Sequence, residues 1–226
     1  MSKTRDGVFI VVPAYNEGSP VYDVVRELRS QYSNVVVVDD GSHDVTSAEA
    51  KRGGAIVLRH VLNRGQGAAI QTGIDFSVKR GADVVVTFDA DGQHRVEDID
   101  RLVTALDKDN ADIAIGSRFL ELQSNVPALR RLMLRMATMF MRITSGVALS
   151  DAHNGLRAIS GSAAARIHLT IDGVAHASEI VNQIYRLRLR VTEVPVVIRS
   201  SEYTLRTGQS RLSPFSHAFT IRSRMH

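Results

Sequence analysis

The first half of the chain alternates short apolar runs with longer amphipathic stretches. The runs are rich in β-branched residues and nearly continuous in hydrophobicity: GVFIVVPAY from Gly7, NVVVVDD from Asn34, AIVLRH from Ala55, DVVVTFDAD from Asp83 and DIAIGS from Asp112. Such runs are typical of strands covered on both faces. Stretches such as PVYDVVRELRSQY and GAAIQTGIDFSVKRG predict helices between them, the second closed by Gly81. This alternation predicts an α/β fold with a mostly parallel sheet flanked by helices.

The pattern changes after Ser117 and Arg118. A long amphipathic helical segment is predicted over 127–149, followed by a polar turn, a short apolar stretch GLRAIS, a helix around 177–190 and a strand in VTEVPVVIRS. Nothing in the pattern marks a linker or a repeat. We therefore expect one domain over 1–226, with 1–118 as one half and 119–226 as the other.

The segment 127–149 has two interpretations. On a helical wheel, Arg131, Arg135 and Arg142 gather on one narrow side, and Leu and Met residues occupy a broad opposite arc. A basic amphipathic helix of this kind can lie in a membrane interface with its Arg side facing lipid phosphates. The alternative is a helix packed in the core, or a Met-rich dimer face.

The composition narrows the class of protein. The chain has 226 residues, 44% of them hydrophobic and 23% charged, which is typical of a globular protein. The absence of cysteine excludes disulfides and thiolate chemistry. The sequence contains neither a secretory signal pattern nor an apolar run of about 18 residues. We therefore expect a cytoplasmic protein, with peripheral contact at the inner face of the cytoplasmic membrane through 127–149 as an extension of that expectation.

Charge is distributed unevenly between the halves. The net charge is +4, yet acidic residues outnumber basic ones in the first half, and all the basic residues after 115 are Arg. Because Arg forks onto phosphate and is weakly hydrated, the second half suits a phosphorylated partner or an anionic surface. A nucleic-acid-binding module is the less favoured interpretation, because only 5% of residues are aromatic and Trp is absent.

Polar residues follow three of the predicted strands. The first strand leads to Tyr15 and Glu17, the second to Asp39 and Asp40, and the fourth to the carboxylates of DADGQH, at 89 and 91. The carboxyl ends of parallel strands meet at one edge of a sheet, where the ligand crevice lies. Two neighbouring carboxylates repel each other, and a divalent cation such as Mg²⁺ or Mn²⁺ removes that cost while bridging to substrate phosphates. The alternative for an isolated D-x-D is a solvated turn, but the convergence of three acidic strand ends favours the metal.

Other phosphate-binding motifs are absent or incomplete. No P-loop sequence occurs, and in NRGQGAAI the position where a dinucleotide fingerprint has its last Gly or Ala is Ile70. Gly65 and Gly67 nevertheless open a predicted helix whose amides can receive an anion or pack on a nucleoside. A plain strand-to-helix turn is the alternative for this pair.

Five motifs in order resemble the inverting family 2 glycosyltransferases. They are VVPAYNE from Val11, VVVDDGSHD from Val36, NRGQGAA from Asn63, DADGQH from Asp89 and GSRF from Gly116. The later stretches DAHNGLRAIS, EVPVVI and YTLRTGQS are similar to the dolichyl- and polyprenyl-phosphate sugar transferase branch. The resemblance covers nearly the whole chain.

The resemblance implies a GT-A (Rossmann-like) fold, a UDP- or GDP-linked sugar donor, a Mg²⁺ or Mn²⁺ ion and direct displacement at the anomeric carbon. The acceptor implied is a polyprenyl phosphate or a cell-envelope glycan, bound in a C-terminal, partly helical acceptor-side region. Residues expected at the donor are Pro13, Tyr15, Glu17, Asp39, Asp40, Gln66, Asp89 and Ala90. Asp89, Asp91 and Gln93 are expected at the metal, and Ser117, Arg118, Arg206, Ser210 and Arg211 at the acceptor or the leaving diphosphate. Asp91, Arg118 and Arg206 are the expected catalytic residues, while Gln66 and Arg211 depart from the usual family residues and leave the donor base open.

The chemistry of the acceptor determines whether a general base is needed. A phosphate acceptor is already ionised, whereas a sugar hydroxyl requires a base, for which Asp151 or Glu179 are candidates. The other functions considered are a nucleotidyltransferase, which would release pyrophosphate, and a non-catalytic protein that binds nucleotide or nucleic acid.

Overall fold

A computed structural model describes residues 5–121, 149–152, 154–171, 173 and 176–199. Its strands are β1 (Val8–Ala14), β2 (Asn34–Asp39), β3 (Ile56–Arg59), β4 (Val84–Thr87), β5 (Ile113–Ser117), β6 (Arg157–Ser160) and β7 (Val191–Pro195). Its α-helices are α1 (Pro20–Arg29), α2 (Thr46–Arg52), α3 (Gln66–Lys79), α4 (Glu97–Lys108), α5 (Arg118–Glu121), α6 (Gly161–Ala164) and α7 (His176–Arg186), after a short 3₁₀ turn at Arg5–Gly7.

The strands form one sheet in the order β3-β2-β1-β4-β6-β5-β7. All neighbouring pairs are parallel except those of β6, which runs antiparallel to both β4 and β5. The chain order changes direction between β1 and β4, which pair in parallel from Val8–Val84 to Val11–Thr87. In an open α/β sheet this switch point opens a crevice beyond the carboxyl ends of the two strands.

Two hydrophobic layers cover the sheet. On one face, α1 and α4 pack on residues such as Ile10 and Val86, and on the other, α3 and α7 pack on residues such as Val11 and Ile113. The central strands β1, β4 and β5 are buried along their whole length. Their continuous apolar sequence therefore reflects helices on both faces.

The predicted strands of the first half and the mostly parallel sheet are confirmed. The structure differs from the prediction in how β3 is covered and in where α7 ends. β3 is an edge strand whose two end residues are exposed, so its apolar run does not indicate cover on both faces. α3 ends at Lys79 with Gly81 in the left-handed region, at φ +79°, as its sequence predicts. α7 ends at Arg186 rather than near 190, because the chain turns at Arg188, where φ is +52°.

Within the described ranges, no helix combines the length and apolar content needed to cross a bilayer. The predicted helical segment 127–149 lies outside the described residues except for Leu149, which is buried in the core layer that contains α3 and α7.

Candidate active site

A cleft of about 660 Å³ opens beyond the carboxyl ends of β1 and β4. It is lined by residues from three strand ends, the start of α3 and the start of α7: Pro13, Ala14, Tyr15, Glu17, Asp40, Asn63, Gly65, Gln66, Ala69, Asp89, Ala90, Asp91, Gly155, Arg157, His176 and Ala177. The structure thus brings together seven of the eight residues predicted at the donor.

The turn after β1 is fixed against the turn after β2. Asn16 adopts φ +54°, its backbone N–H donates to Ser42 Oγ over 2.9 Å, and its Oδ1 accepts from His43 N over 3.0 Å. Gly18 N donates to Thr46 Oγ1 over 3.0 Å. These bonds present Tyr15, whose side chain is 42% exposed, and Glu17 to the cleft.

Asp40 connects the second strand end to the loop before α3. Its Oδ1 bonds His60 Nδ1 at 2.6 Å and accepts from Arg64 N at 2.9 Å, and its Oδ2 accepts from Gly65 N at 2.6 Å. Gly41, at φ +77°, lets this loop approach closely, since a Cβ there would lie 2.7 Å from the Leu62 carbonyl carbon. Gly65 therefore ends a loop held by a strand-end carboxylate, and Gly67 lies in the first turn of α3.

Asp39 does not line the cleft. The carboxylate is fully buried and accepts hydrogen bonds from Ser42 N, at 2.8 Å, and from the Ser47 hydroxyl, while Arg59 Nε lies 3.6 Å away. Burial would raise the pKa of Asp39, but these hydrogen bonds and the Arg59 charge lower it. Asp39 holds the turn after β2, and its expected contact with donor base or ribose has no support in this geometry.

Asp89 has hydrogen bonds on both carboxylate oxygens. His94 Nε2 lies 3.1 Å from Oδ2, and Gln66 Nε2 donates to Oδ1 over 3.3 Å. Burial alone would raise the pKa of Asp89, but the bond to His94 and the positive charges of His94 and Arg157 hold it below its ordinary value. The carboxylate rests against Gly155, where a Cβ would lie 2.0 Å from Oδ2. Asp89 is therefore ionised and held in one place.

Asp91 and Glu17 lack such compensation. Asp91 accepts only the N–H of Gln93, at 3.0 Å, among the described hydrogen bonds, and burial with the Asp89 charge raises its pKa. Burial and the charges of Asp91, Asp44 and Asp89 raise the pKa of Glu17 to about 7. The cleft thus concentrates negative charge that a cation would relieve.

The donor set suits a hard cation that shares its ligands with a substrate. Among the described residues, no group of three or more His, Cys, Asp or Glu side chains is arranged as a closed metal cage. Asp91 nevertheless offers an oxygen at the cleft beside the ionised Asp89, and Mg²⁺ typically binds one or two carboxylates together with substrate phosphates. A divalent cation therefore fits the residues present. Gln93, the third expected ligand, is absent from the cleft lining.

The acceptor-side residues Ser117 and Arg118 form a network next to the cleft rather than lining it. Ser150 Oγ donates to Glu193 Oε1 over 2.7 Å, so Ser117 Oγ donates to Ser150 Oγ over 2.6 Å. The Arg118 guanidinium forks onto Asp151, with Nε to Oδ2 at 2.6 Å and Nη2 to Oδ1 at 2.7 Å. The charges of Arg118 and Asp89 interact, so this cation acts on the cleft from its side.

Both candidate general bases are engaged elsewhere. Asp151 is buried and carries the Arg118 fork. Glu179 accepts from the Thr170 N–H and hydroxyl and from Ile171 N, and does not line the cleft. Burial raises the pKa of Glu179, but these hydrogen bonds lower it by more, so the pKa lies below its ordinary value. The expectation that either carboxylate acts as a base gains nothing from this geometry.

Two basic residues of the cleft wall, Arg157 and His176, are not among the site residues predicted from the sequence. Arg157 interrupts the otherwise apolar stretch LRAIS, and a charged residue inside a buried strand was the available signal. His176 begins α7 and has no local motif. The expected residues Arg206, Ser210 and Arg211 lie outside the described residues.

Comparison with known proteins identifies the family. The model of glycosyl transferase family 2 matches residues 9–167. An uncharacterized protein of Methanocaldococcus jannaschii, MJ1222, is 36% identical over 96% of this chain and 91% of its own. The polyprenol monophosphomannose synthase of Mycolicibacterium smegmatis is 32% identical over 90% of this chain and 80% of its own. The UDP-N-acetylglucosamine–dolichyl-phosphate N-acetylglucosaminyltransferase of Methanococcus voltae is 29% identical over 92% of each chain.

A solved structure supports the fold. Glucosyl-3-phosphoglycerate synthase from Mycobacterium tuberculosis, crystallised with Mn²⁺, UDP-glucose and phosphoglyceric acid, superposes with a TM-score of 0.64 over 86% of this chain and 72% of its own, at 19% identity. The expected GT-A fold is confirmed. The family match favours the glycosyltransferase over the alternative of a nucleotidyltransferase, and with the cleft and its acidic strand ends it leads to one conclusion: this chain belongs to glycosyl transferase family 2 and is a glycosyltransferase.

Proposed function

We propose that the protein transfers a sugar from a UDP- or GDP-linked donor to a polyprenyl phosphate, with inversion at the anomeric carbon and with Mg²⁺ or Mn²⁺ bound in the cleft. A lipid-linked or cell-envelope glycan is the alternative acceptor. The observation that carries the proposal is the group of carboxylates Glu17, Asp89 and Asp91 around one polar cleft, where burial and the neighbouring negative charges raise the pKa values of Glu17 and Asp91. A cation bridged to a diphosphate is the ligand that this charge distribution favours.

Asp91 and Asp89 would hold the cation. Asp91 supplies the oxygen that lacks a described partner, and Asp89 is kept ionised and oriented by His94 and Gln66. When bound, the metal neutralises the charge that develops on the departing diphosphate. Gln93 contributes through its backbone N–H, which fixes Asp91.

The donor nucleoside would lie between the turn after β1 and the loop before α3. Pro13, Tyr15 and Glu17 line one side, while Asp40 fixes the opposite loop through the Arg64 and Gly65 amides. Gln66 and Ala90 complete the wall toward the diphosphate. Tyr15 offers an exposed ring on which a base or ribose can pack.

An acceptor that is already ionised would not need either of the two candidate bases. Asp151 and Glu179 are both committed to other groups, and a phosphate monoester needs little general-base assistance. The relative from Methanococcus voltae is named as a transferase of N-acetylglucosamine to dolichyl phosphate, and the one from Mycolicibacterium smegmatis as a synthase of polyprenol monophosphomannose. Chemical logic and relationship therefore favour the same acceptor class.

In the proposed function, residues 1–118 bind the donor and residues 119–226 bind the acceptor. In the second half, the basic segment 127–149 would contact the membrane surface, and Arg206, Ser210 and Arg211 would meet the acceptor phosphate or the leaving diphosphate. Arg118 would act from the cleft side. Placement at the inner face of the cytoplasmic membrane follows from an acceptor that is embedded in lipid.

The test is sugar transfer into lipid. Each assay contains purified protein, Mn²⁺, a C55 polyprenyl phosphate in detergent and one sugar-labelled donor: UDP-N-acetylglucosamine, UDP-glucose or GDP-mannose. With one of these donors, the labelled sugar should move into the organic phase, and the nucleoside diphosphate should be released in equal amount. Asp91→Asn should lower the rate at least about 100-fold, whereas Asp75→Asn, an exposed carboxylate on α3, should not. Transfer that continues at the same rate in the presence of EDTA would contradict the proposal. The absence of transfer with every donor would contradict it as well.

A further inference from the structure

Arg157 is the largest fully buried side chain of the described protein and part of the cleft wall. It is 1% exposed. Its Nη2 donates to Ala152 O over 3.2 Å, but Nε and Nη1 have no hydrogen-bond partner among the residues that the structure describes. Leaving buried donors unpaired is costly, and more so on a charged group. Such a group in a ligand cleft is expected to be completed by the ligand.

The neighbouring carboxylates do not satisfy Arg157. The charges of Asp89 and Asp151 act on it from a distance. Asp151 is already forked by Arg118, and both Asp89 oxygens are bonded to Gln66 and His94. The described part of the chain contains no salt bridge to Arg157. Two of the three guanidinium nitrogens therefore lack a directional partner among the described residues.

The backbone register fixes where this cation lies. Arg157 in β6 pairs with Thr87 at the end of β4, and Thr87 Oγ1 donates to Gly155 O over 2.6 Å. Asp89 lies two residues beyond Thr87 and rests on Gly155. The guanidinium is thus held immediately behind the carboxylate proposed to face the metal.

The N-terminus of α7 contributes to the same wall. His176 and Ala177, its first two residues, line the cleft beside Gly155 and Arg157. α7 has 11 residues, so its N-terminal end carries the partial positive charge and backbone N–H groups that favour an anion. Burial, together with the charge of Arg157, lowers the pKa of His176. His176 thus adds an imidazole of lowered pKa to the wall that contains Arg157.

We propose that Arg157 and the N-terminus of α7 form a phosphoryl-binding subsite, in which Nε and Nη1 donate to oxygens of a substrate phosphate. This inference rests on the proposed function and adds a residue to it. The phosphoryl group is either the diphosphate of the donor or the monophosphate of the lipid acceptor. Paired charge-assisted hydrogen bonds of this kind are strong in a buried site.

Equilibrium binding with paired ligands tests the subsite and identifies the source of the phosphate. The donor pair is UDP or GDP against uridine or guanosine, each with Mn²⁺, and the acceptor pair is farnesyl monophosphate against farnesol. Arg157→Met should weaken the phosphorylated member of one pair by about 10- to 100-fold and leave its phosphate-free member unchanged, with a smaller loss for Arg157→Lys. Arg190→Met removes an Arg that pairs with Asp112 at the opposite edge of the sheet, and should bind all ligands like the parent.

A loss confined to the donor pair or to the acceptor pair supports the subsite and names its ligand. If neither pair shows a phosphate-specific loss, the proposal is overturned. An equal loss for phosphorylated and phosphate-free ligands overturns it as well. If Arg157→Met does not fold, the Arg157 Nε–H resonance of the ¹⁵N-arginine-labelled parent should shift with a phosphorylated ligand and not with its phosphate-free counterpart; an unmoved resonance overturns the proposal. These affinities do not depend on turnover, so they remain decisive even if no sugar reaches a polyprenyl phosphate.

Discussion

At the scale of single residues, the main feature of the site is its concentration of carboxylates. The pKa of Asp89 is lowered because His94 and Arg157 outweigh its burial, whereas burial and neighbouring carboxylates raise the pKa values of Asp91 and Glu17. The same three carboxylates look equivalent in the sequence. Their environments differ, since Asp89 is fixed by hydrogen bonds on both oxygens and Asp91 accepts one described hydrogen bond.

Glu17 should make stability depend on pH in the absence of metal. Its pKa rises from 4.5 to about 7 on folding, so between these values the folded protein retains a proton that the unfolded chain has lost. The free energy of unfolding should therefore fall as the pH rises through this window. Urea unfolding from pH 4.5 to 7.5 should show a shallower fall in Glu17→Gln. Parallel curves for parent and variant would contradict the assignment of this proton to Glu17.

Gly155 should be required for the position of Asp89. A Cβ at this residue would lie 2.0 Å from Oδ2 and 2.4 Å from Cγ of that carboxylate. In Gly155→Ala the carboxylate must move, so affinity for Mn²⁺ with nucleoside diphosphate should fall at least about tenfold, as misplacement in a preorganised site predicts. Gly173→Ala, where a Cβ meets nothing within 4 Å, is the control. Unchanged affinity in Gly155→Ala would show that Asp89 need not occupy this position.

The residues could be predicted from sequence only as far as motifs carry them. The D-x-D at 89 and 91 and the acidic end of β2 were recognisable, and the cleft contains them except for Asp39. Two adjacent aspartates give no indication which one turns toward its own loop, because that depends on Ser42 and Ser47. Arg157 was missed because its burial is set by the register of β6 between β4 and β5, which a local pattern does not contain.

At the scale of elements, the site depends on how closely α3 packs on β1. Gly73 faces Val11, and a Cβ there would lie 2.2 Å from Val11 Cγ1. This close approach helps position the start of α3, with Gly65 and Gln66, beside the strand ends. The strands and helices of the first half were predictable from hydrophobic period, because buried parallel strands and amphipathic helices have distinct patterns. The antiparallel insertion of β6 was not, since strand order is a long-range property.

Gly73→Ala should destabilise the protein despite the better helix propensity of Ala. Overpacking a full core typically costs about 1–3 kcal/mol, while the gain in propensity is at most about 1 kcal/mol. Urea unfolding should give a net loss on the order of 1 kcal/mol, compared with little change for the open position in Gly173→Ala. Equal or greater stability in Gly73→Ala would mean that α3 can withdraw from β1 without cost.

At the scale of the whole molecule, one sheet carries two kinds of chemistry. The strand ends from β1, β2 and β4 contribute carboxylates, and the part of the chain after β5 contributes Arg118, Arg157 and the N-terminus of α7. Residues of opposite charge from the two halves therefore meet at or beside the cleft. In the proposed function, the negative groups would receive a cation and the positive groups phosphate, which is the arrangement that transfer from a nucleotide sugar requires.

Calorimetric titration of Mn²⁺ with UDP and with GDP tests the central claim most directly. The parent and Asp75→Asn should give saturable heat with one nucleotide, abolished by EDTA, and Asp91→Asn should bind it at least about tenfold more weakly because the cation loses a ligand. Equal affinity in the parent and in Asp91→Asn, or binding that is indifferent to the metal, would contradict a cation held between the β4 carboxylates and the diphosphate.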